Sequence, residues 1–222
     1  MRLMKKVAVI LAGCGFLDGA EIHESVCTLL AIDRAGASYQ VFAPDIPQLH
    51  VVDHTRQEPT GETRNVLVEA ARIARGNANP LSALRMEAFD AVVLPGGYGA
   101  AKNLVDYAVH GAACSIDPEV ERVLREAHAM RKPIGAICIS PVIVARALGA
   151  QHHPLLTIGK DVGTAADLEK LGARHQEAEV DGIVVDEANR IVTTPAYMEA
   201  ERIGQVYAGV TKLVERVLSM AG

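Results

Sequence analysis

The residue best suited to chemistry is Cys138, which follows the short apolar run IGAI at residues 134–137. This run predicts a buried strand that turns at once into a helix, because Ser140 is a good N-cap and Pro141 suits the first helical position. A cysteine at such a turn faces the positive end of the helix, which favours the nucleophilic thiolate. The pattern therefore predicts a nucleophile elbow built around cysteine. The alternative is a buried cysteine that only packs.

A second motif is LPGGYGAA at residues 94–101, directly after another predicted strand. It lacks the Gly-Lys-Ser/Thr of a phosphate-binding P-loop and does not match the dinucleotide fingerprint. Without a Cβ, Gly96 and Gly97 let a ligand come close and present backbone N–H groups to it. We expect these two N–H groups, with that of Ile139, to bind an oxyanion or substrate. The alternative is a tight turn that needs positive φ.

The candidate proton carrier is Glu24, in a predicted helix near the start of the chain. Its helical neighbours Cys27, Thr28 and Ala31 carry no charge. We expect Glu24 to be partly buried, which would raise its pKa and let it carry a proton. The alternative is a solvated glutamate at a helix start, a role that suits Glu21 better.

The histidines give weaker signals. His23 is next to Glu24 but on another helix face, and His152 and His153 follow the elbow helix. We expect each to be a surface or core residue. No convergent ligand spacing indicates a metal site, and no motif indicates a cofactor.

Composition excludes several classes of function. The chain has 222 residues, of which 50% are apolar and 22% charged, as expected for one globular domain. The net charge is −5 and no Lys/Arg cluster is present, so we expect neither nucleic acid nor membrane as a partner. The apolar stretch at residues 7–12, after the basic residues 1–6, is too short for a signal peptide. Four cysteines without a CxxC pattern fit a reduced, cytoplasmic protein.

Strand and helix patterns alternate along residues 1–222 and predict a single α/β domain. The pattern predicts a mostly parallel sheet with helices on both faces, whose sites lie at the carboxyl ends of the strands. The predicted strands are residues 7–11, 39–43, 89–94 and 134–137, with a hairpin at 183–193. The predicted helices are residues 21–36, 62–75, 118–130, 167–172 and 199–220, besides the elbow helix.

These motifs together resemble the PfpI-like branch of the class I glutamine amidotransferase-like superfamily. The resemblance is closest to its ElbB subfamily, called glyoxalase ElbB or isoprenoid biosynthesis protein with amidotransferase-like domain. The matching segments cover nearly the whole chain: LAGCG at 11–15, DGAEIHE at 18–24, ETRN at 62–65, GGYGAAKN at 96–103, AICISP at 136–141 and IVTTPAY at 191–197.

The resemblance implies a flavodoxin-like sandwich, usually a homodimer, and a cofactor-free lyase that converts the small reactive aldehyde glyoxal to glycolate. It places the nucleophile on Cys138 and the helical carboxylate on Glu24. Ile139 stands where protease-like members have histidine, and no histidine follows His175 to complete an amidotransferase triad. Glutamine hydrolysis is therefore not expected. The alternative is a non-catalytic, chaperone- or deglycase-like protein linked to isoprenoid biosynthesis, in which Cys138 senses oxidation.

Overall fold

The computed structural model describes residues 4–221 of the chain. Residues 1–3, where the basic segment begins, and residue 222 lie outside the described part. Between residues 4 and 221, no helix is long and apolar enough to cross a membrane.

A seven-stranded sheet forms the centre, with the strand order β10-β11-β7-β6-β1-β2-β5. All neighbours in it are parallel except the β10–β11 hairpin. Two short two-stranded sheets, β3–β4 and β8–β9, lie outside it. The strands are β1 Lys6–Ile10, β2 Ser38–Ala43, β3 Val52–Asp53, β4 Glu58–Pro59, β5 Ala78–Pro80, β6 Ala91–Leu94, β7 Ile134–Ile137, β8 Leu155–Leu156, β9 Arg174–His175, β10 Val184–Asp186 and β11 Ile191–Thr194.

Helices surround the sheet, which confirms the expected sandwich. α1 packs against α7, and α7 covers β7 and β11, while α4 and α5 pack together against β7. The helices are α1 Ile22–Arg34, α2 Val66–Ile73, α3 Tyr107–His110, α4 Pro118–Ala129, α5 Pro141–His152, α6 Val162–Lys170 and α7 Ile203–Met220.

The three central strands bring the sequence motifs to one edge of the sheet. β6 pairs in parallel with both β1 and β7, so the loops that follow these strands are neighbours. The tight packing depends on Gly135 in β7, where a Cβ would stand 2.9 Å from the Leu213 side chain of α7. Gly135 therefore allows α7 to pack closely against β7.

The structure differs from the predicted elements mainly at helix starts and short strands. α2 begins four residues later than predicted, because the Asn65 side chain caps it by accepting a hydrogen bond from the Val68 N–H at 3.1 Å. α6 begins earlier, because the Asp161 side chain caps it at Thr164. α7 begins at Ile203 instead of residue 199. The strands β5, β8 and β9 are too short for an alternation pattern to indicate them.

Candidate active site

The elbow has the predicted position, at the end of β7. Cys138 has φ +62°, a strained value for a residue with a side chain, and its N–H donates to the Thr194 carbonyl at 3.0 Å. Pro141 is the first residue of α5, as predicted. The Ser140 side chain, however, does not cap this helix. Its hydroxyl donates to the Pro95 carbonyl at 2.8 Å and so ties the elbow to the loop after β6.

Glu24 is fully buried, which confirms the expected burial. One carboxyl oxygen, Oε2, accepts from the Gly96 N–H at 2.8 Å, and Oε1 accepts from the Tyr197 N–H at 3.3 Å. The Glu24 carboxyl is also close enough to the Cys138 thiol for each group to shift the pKa of the other. Burial, followed by the nearby Glu21 carboxylate, raises the pKa of Glu24 to about 8, against the lowering effect of these hydrogen bonds. Glu24 therefore holds a proton at neutral pH.

Gly96 does not offer its N–H to an oxyanion, contrary to expectation, because that N–H donates to Glu24. The missing side chain serves a different purpose. A Cβ on Gly96 would stand 2.6 Å from the Cβ of Cys138 and 2.9 Å from Oε2 of Glu24. Glycine at this position is therefore what allows the carboxyl and the thiol to meet.

The backbone N–H groups of Gly97 and Ile139 lie near the sulfur of Cys138, and their interaction with it lowers the pKa of the thiol. Burial and the neighbouring Glu24 carboxylate act in the opposite direction and dominate, so the pKa of the thiol is raised well above its ordinary value. The expectation that Cys138 is present as a thiolate is therefore wrong. The residues that indicate the start of the helix do not show how deeply the sulfur is buried.

A cavity of about 720 Å³ opens above the sulfur. Its lining is largely apolar and aromatic, and of the four cysteines it includes only Cys138. The lining residues are Phe16, Glu21, His23, Gly97, Tyr98, Ala101, Tyr107, Ala108, Cys138, Ile139, Asp161, Thr164, Tyr197 and Met198.

Three of these residues were missed or misread from the sequence. Glu21 is not a solvated glutamate: it caps α1 by accepting from the Glu24 N–H at 2.6 Å, and burial raises its pKa. His23 lines the cavity mouth, with Nδ1 2.7 Å from the Tyr197 hydroxyl. Tyr197 therefore contacts two residues of the site: its hydroxyl contacts His23, and its N–H donates a hydrogen bond to Glu24. The sequence signals for Tyr197 were its place just after a strand end and its position in the motif IVTTPAY at 191–197, and neither indicated these contacts.

The other histidines lie away from the cavity lining. The ring of His152 stacks on that of His128 with centroids 4.0 Å apart, and His153 Nδ1 is 2.8 Å from the Gly172 carbonyl. Within residues 4–221, no group of three or more His, Cys, Asp or Glu side chains could hold a metal ion.

The raised pKa values of Glu24 and Cys138 predict how the rate of iodoacetamide labelling of Cys138 depends on pH. Once Glu24 loses its proton, the carboxylate can take the thiol proton as the sulfur attacks. Iodoacetamide labelling of Cys138 should therefore be slow at neutral pH and rise through about pH 8. Peptide mapping after timed labelling measures this, with Cys14 in the same digest as a reference. A labelling rate that stays constant across this range would show a preformed thiolate and contradict the structure.

Comparison with known proteins places the chain in a family. The model of the DJ-1/PfpI family matches residues 5–203. The chain belongs to the DJ-1/PfpI family. A solved structure of an isoprenoid biosynthesis protein with amidotransferase-like domain from Ehrlichia chaffeensis superposes with a TM-score of 0.92 at 39% identity. It covers 98% of this chain and 100% of its own. The ElbB-like resemblance is thus supported at the level of fold and sequence.

Two curated relatives are also similar over 98% of this chain and 84% of their own length. One is the human glutamine amidotransferase-like class 1 domain-containing protein 3, mitochondrial, at 45% identity, and the other is the rat ES1 protein homolog, mitochondrial, at 44%. Both carry mitochondrial names, so the cytoplasmic expectation for this DJ-1/PfpI protein is wrong. Free cysteines indicate a reducing environment, and that alone does not identify the compartment.

Proposed function

We propose that this DJ-1/PfpI protein is a cofactor-independent glyoxalase that converts glyoxal to glycolate. The observation that carries the proposal is the contact between a buried carboxyl of pKa about 8 and an elbow thiol at the base of an open cavity. A carboxyl with a pKa near the working pH can both accept and donate a proton. A cysteine beside it can form a covalent adduct with an aldehyde.

The first step is addition of the Cys138 thiol to one aldehyde carbon. As the carbon–sulfur bond forms, the Glu24 carboxylate takes the thiol proton and then gives it to the aldehyde oxygen, producing a hemithioacetal. The N–H groups of Gly97 and Ile139, which lie at the sulfur, stabilise the negative charge on that oxygen while it develops.

The second step moves hydrogen from the first carbon to the second. Glu24 removes the proton from the carbon bonded to sulfur and returns it to the neighbouring carbon, while the hydroxyl proton passes between the two oxygens. The first carbon is thereby oxidised to a thioester and the second is reduced to an alcohol, so no external oxidant is needed. Water then cleaves the thioester, which releases glycolate and restores the thiol.

The same geometry disfavours hydrolysis of amides. Amide cleavage requires a group that protonates a poor leaving group, usually a histidine beside the nucleophile. His23 is the histidine in the cavity lining, and its Nδ1 is engaged with the Tyr197 hydroxyl. The human relative is amidotransferase-like by name, but we assign this chain no glutaminase activity.

Turnover of glyoxal by the purified protein tests the proposal. With no added metal, thiol or nucleotide, the protein should form many glycolate molecules per chain. The rate should be modest at neutral pH, because most Glu24 side chains still carry their proton there. Formation of at most one glycolate per chain would favour a redox-sensing or interaction role for Cys138.

We also propose that the protein is a homodimer that uses one face of α1. Ile22, Val26 and Leu30 repeat every four residues on this face, and each is 42–48% exposed. Val26→Asp should shift the protein from dimer to monomer in light scattering after size exclusion. Val68→Asp, at an exposed position on α2, is the matched control and should leave the mass unchanged. A monomeric wild type would overturn this part of the proposal.

A further inference from the structure

The cavity above Cys138 is far larger than glyoxal requires. Its volume is about 720 Å³, whereas glyoxal has few heavy atoms and would contact only the base near the sulfur. Pockets of roughly 300–1,000 Å³ enclose ligands of drug size. The space that glyoxal leaves empty above the reacting aldehyde can therefore hold a substituent of a larger aldehyde.

The walls of this space are aromatic. Phe16 and Tyr98 are joined by a hydrogen bond from the Tyr98 N–H to the Phe16 carbonyl at 2.7 Å, and the two residues are 42% and 55% exposed. Tyr107 and Met198 complete an apolar lining. Exposed aromatic rings at a cavity mouth favour a planar apolar partner, on which they can stack.

The charged residues in the cavity lining also limit the charge that a substituent on the substrate can carry. Among the described residues 4–221, neither lysine nor arginine lines the cavity, and the carboxyl groups in the lining are those of Glu21 and Asp161. Asp161 accepts a hydrogen bond from the Thr164 N–H at 2.7 Å, which lowers its pKa and keeps it ionised at neutral pH. A phosphate or carboxylate on the substrate would meet this negative charge. Lys102 Nζ lies 5.6 Å from the centroid of the Tyr98 ring, but it is outside the cavity lining and donates to the Leu17 carbonyl at 2.9 Å.

We propose that the preferred substrates are 2-oxoaldehydes that carry an uncharged aromatic group. The inference rests on the proposed glyoxalase function and deepens it. The aldehyde carbon reacts with Cys138 as glyoxal does, while the aromatic group lies against Phe16 and Tyr98. Contacts of this remote group hold the reacting carbon in place and so raise kcat/KM.

Three aldehydes test the inference: glyoxal, phenylglyoxal and 4-carboxyphenylglyoxal. Conversion of phenylglyoxal is followed as mandelate, which separates turnover from modification of arginine side chains. The kcat/KM for phenylglyoxal should exceed that for glyoxal by at least about tenfold. The added carboxylate should lower kcat/KM by about tenfold relative to phenylglyoxal.

Two variants show whether the aromatic wall causes the preference. Tyr98→Ala should reduce the ratio of the phenylglyoxal to the glyoxal kcat/KM by about tenfold. Val68→Ala, on the exposed surface of α2 outside the cavity lining, should leave this ratio unchanged. Turnover of glyoxal with no advantage for phenylglyoxal, or an unchanged ratio in Tyr98→Ala, would overturn this inference alone. No turnover of any of the three aldehydes would remove the proposed function and this inference with it.

Discussion

Replacing Cys138 with serine is expected to abolish glycolate formation, with a loss of at least about 10³-fold. The alcohol is far less acidic than the thiol, so the buried Glu24 carboxyl cannot activate it near neutral pH. Serine is close to cysteine in size and fits the same elbow at φ +62°. Glycolate produced from glyoxal over time measures the loss.

Cys14→Ser is the matched control for that experiment. Cys14 is partly exposed and lies outside the cavity lining, so its replacement should leave the rate of glycolate formation within about twofold of the wild type. If the Cys138 variant retains most of the activity, the elbow cysteine is not the nucleophile.

Glu24→Gln is expected to lower glycolate formation by at least about 10²-fold, the low end of the range for general acid–base catalysis. The amide keeps the size of the carboxyl but cannot accept or deliver a proton. One side of the amide would also present N–H to a backbone donor, at Gly96 or Tyr197, at a cost of about 1–3 kcal/mol. Circular dichroism should nevertheless show an intact fold.

The pH dependence of the free energy of unfolding shows whether Glu24→Gln acts by removing a titrating proton or by disturbing the fold. The pKa of Glu24 is raised to about 8 in the folded protein, so the native state binds a proton that the unfolded state has already released. Wild-type stability should therefore fall as pH rises from the ordinary glutamate range to about 8. Chemical denaturation of Glu24→Gln should lack this decrease. Parallel pH profiles for the two proteins, or unchanged turnover in the variant, would contradict the assigned role.

Much of the fold around the site could be predicted from the sequence, because the patterns that indicate it involve residues close together in the chain. The apolar run at residues 134–137, followed by Cys138 and Pro141, predicted β7 and the start of α5 at their observed bounds. The burial of Glu24 followed from its uncharged helical neighbours. These features depend on side chains within a few residues of each other.

The rest of the site depends on contacts between distant segments. The Gly96 N–H binds Glu24, 72 positions away, and Tyr197 reaches the same carboxyl from the end of β11. Local pattern could not show that Gly96 serves Glu24 instead of a ligand. It also could not show that burial outweighs the two N–H donors at Cys138, because the depth of a pocket is a property of the assembled fold.

The most direct measurement follows two products from the same purified wild-type protein. Glycolate from glyoxal and ammonia from glutamine are assayed in parallel, with Cys138→Ser as the common reference. The glyoxalase account predicts steady glycolate formation that requires Cys138, and ammonia release no greater than in the serine variant. Ammonia release that requires Cys138, without glycolate formation, would contradict the account and indicate an amidotransferase.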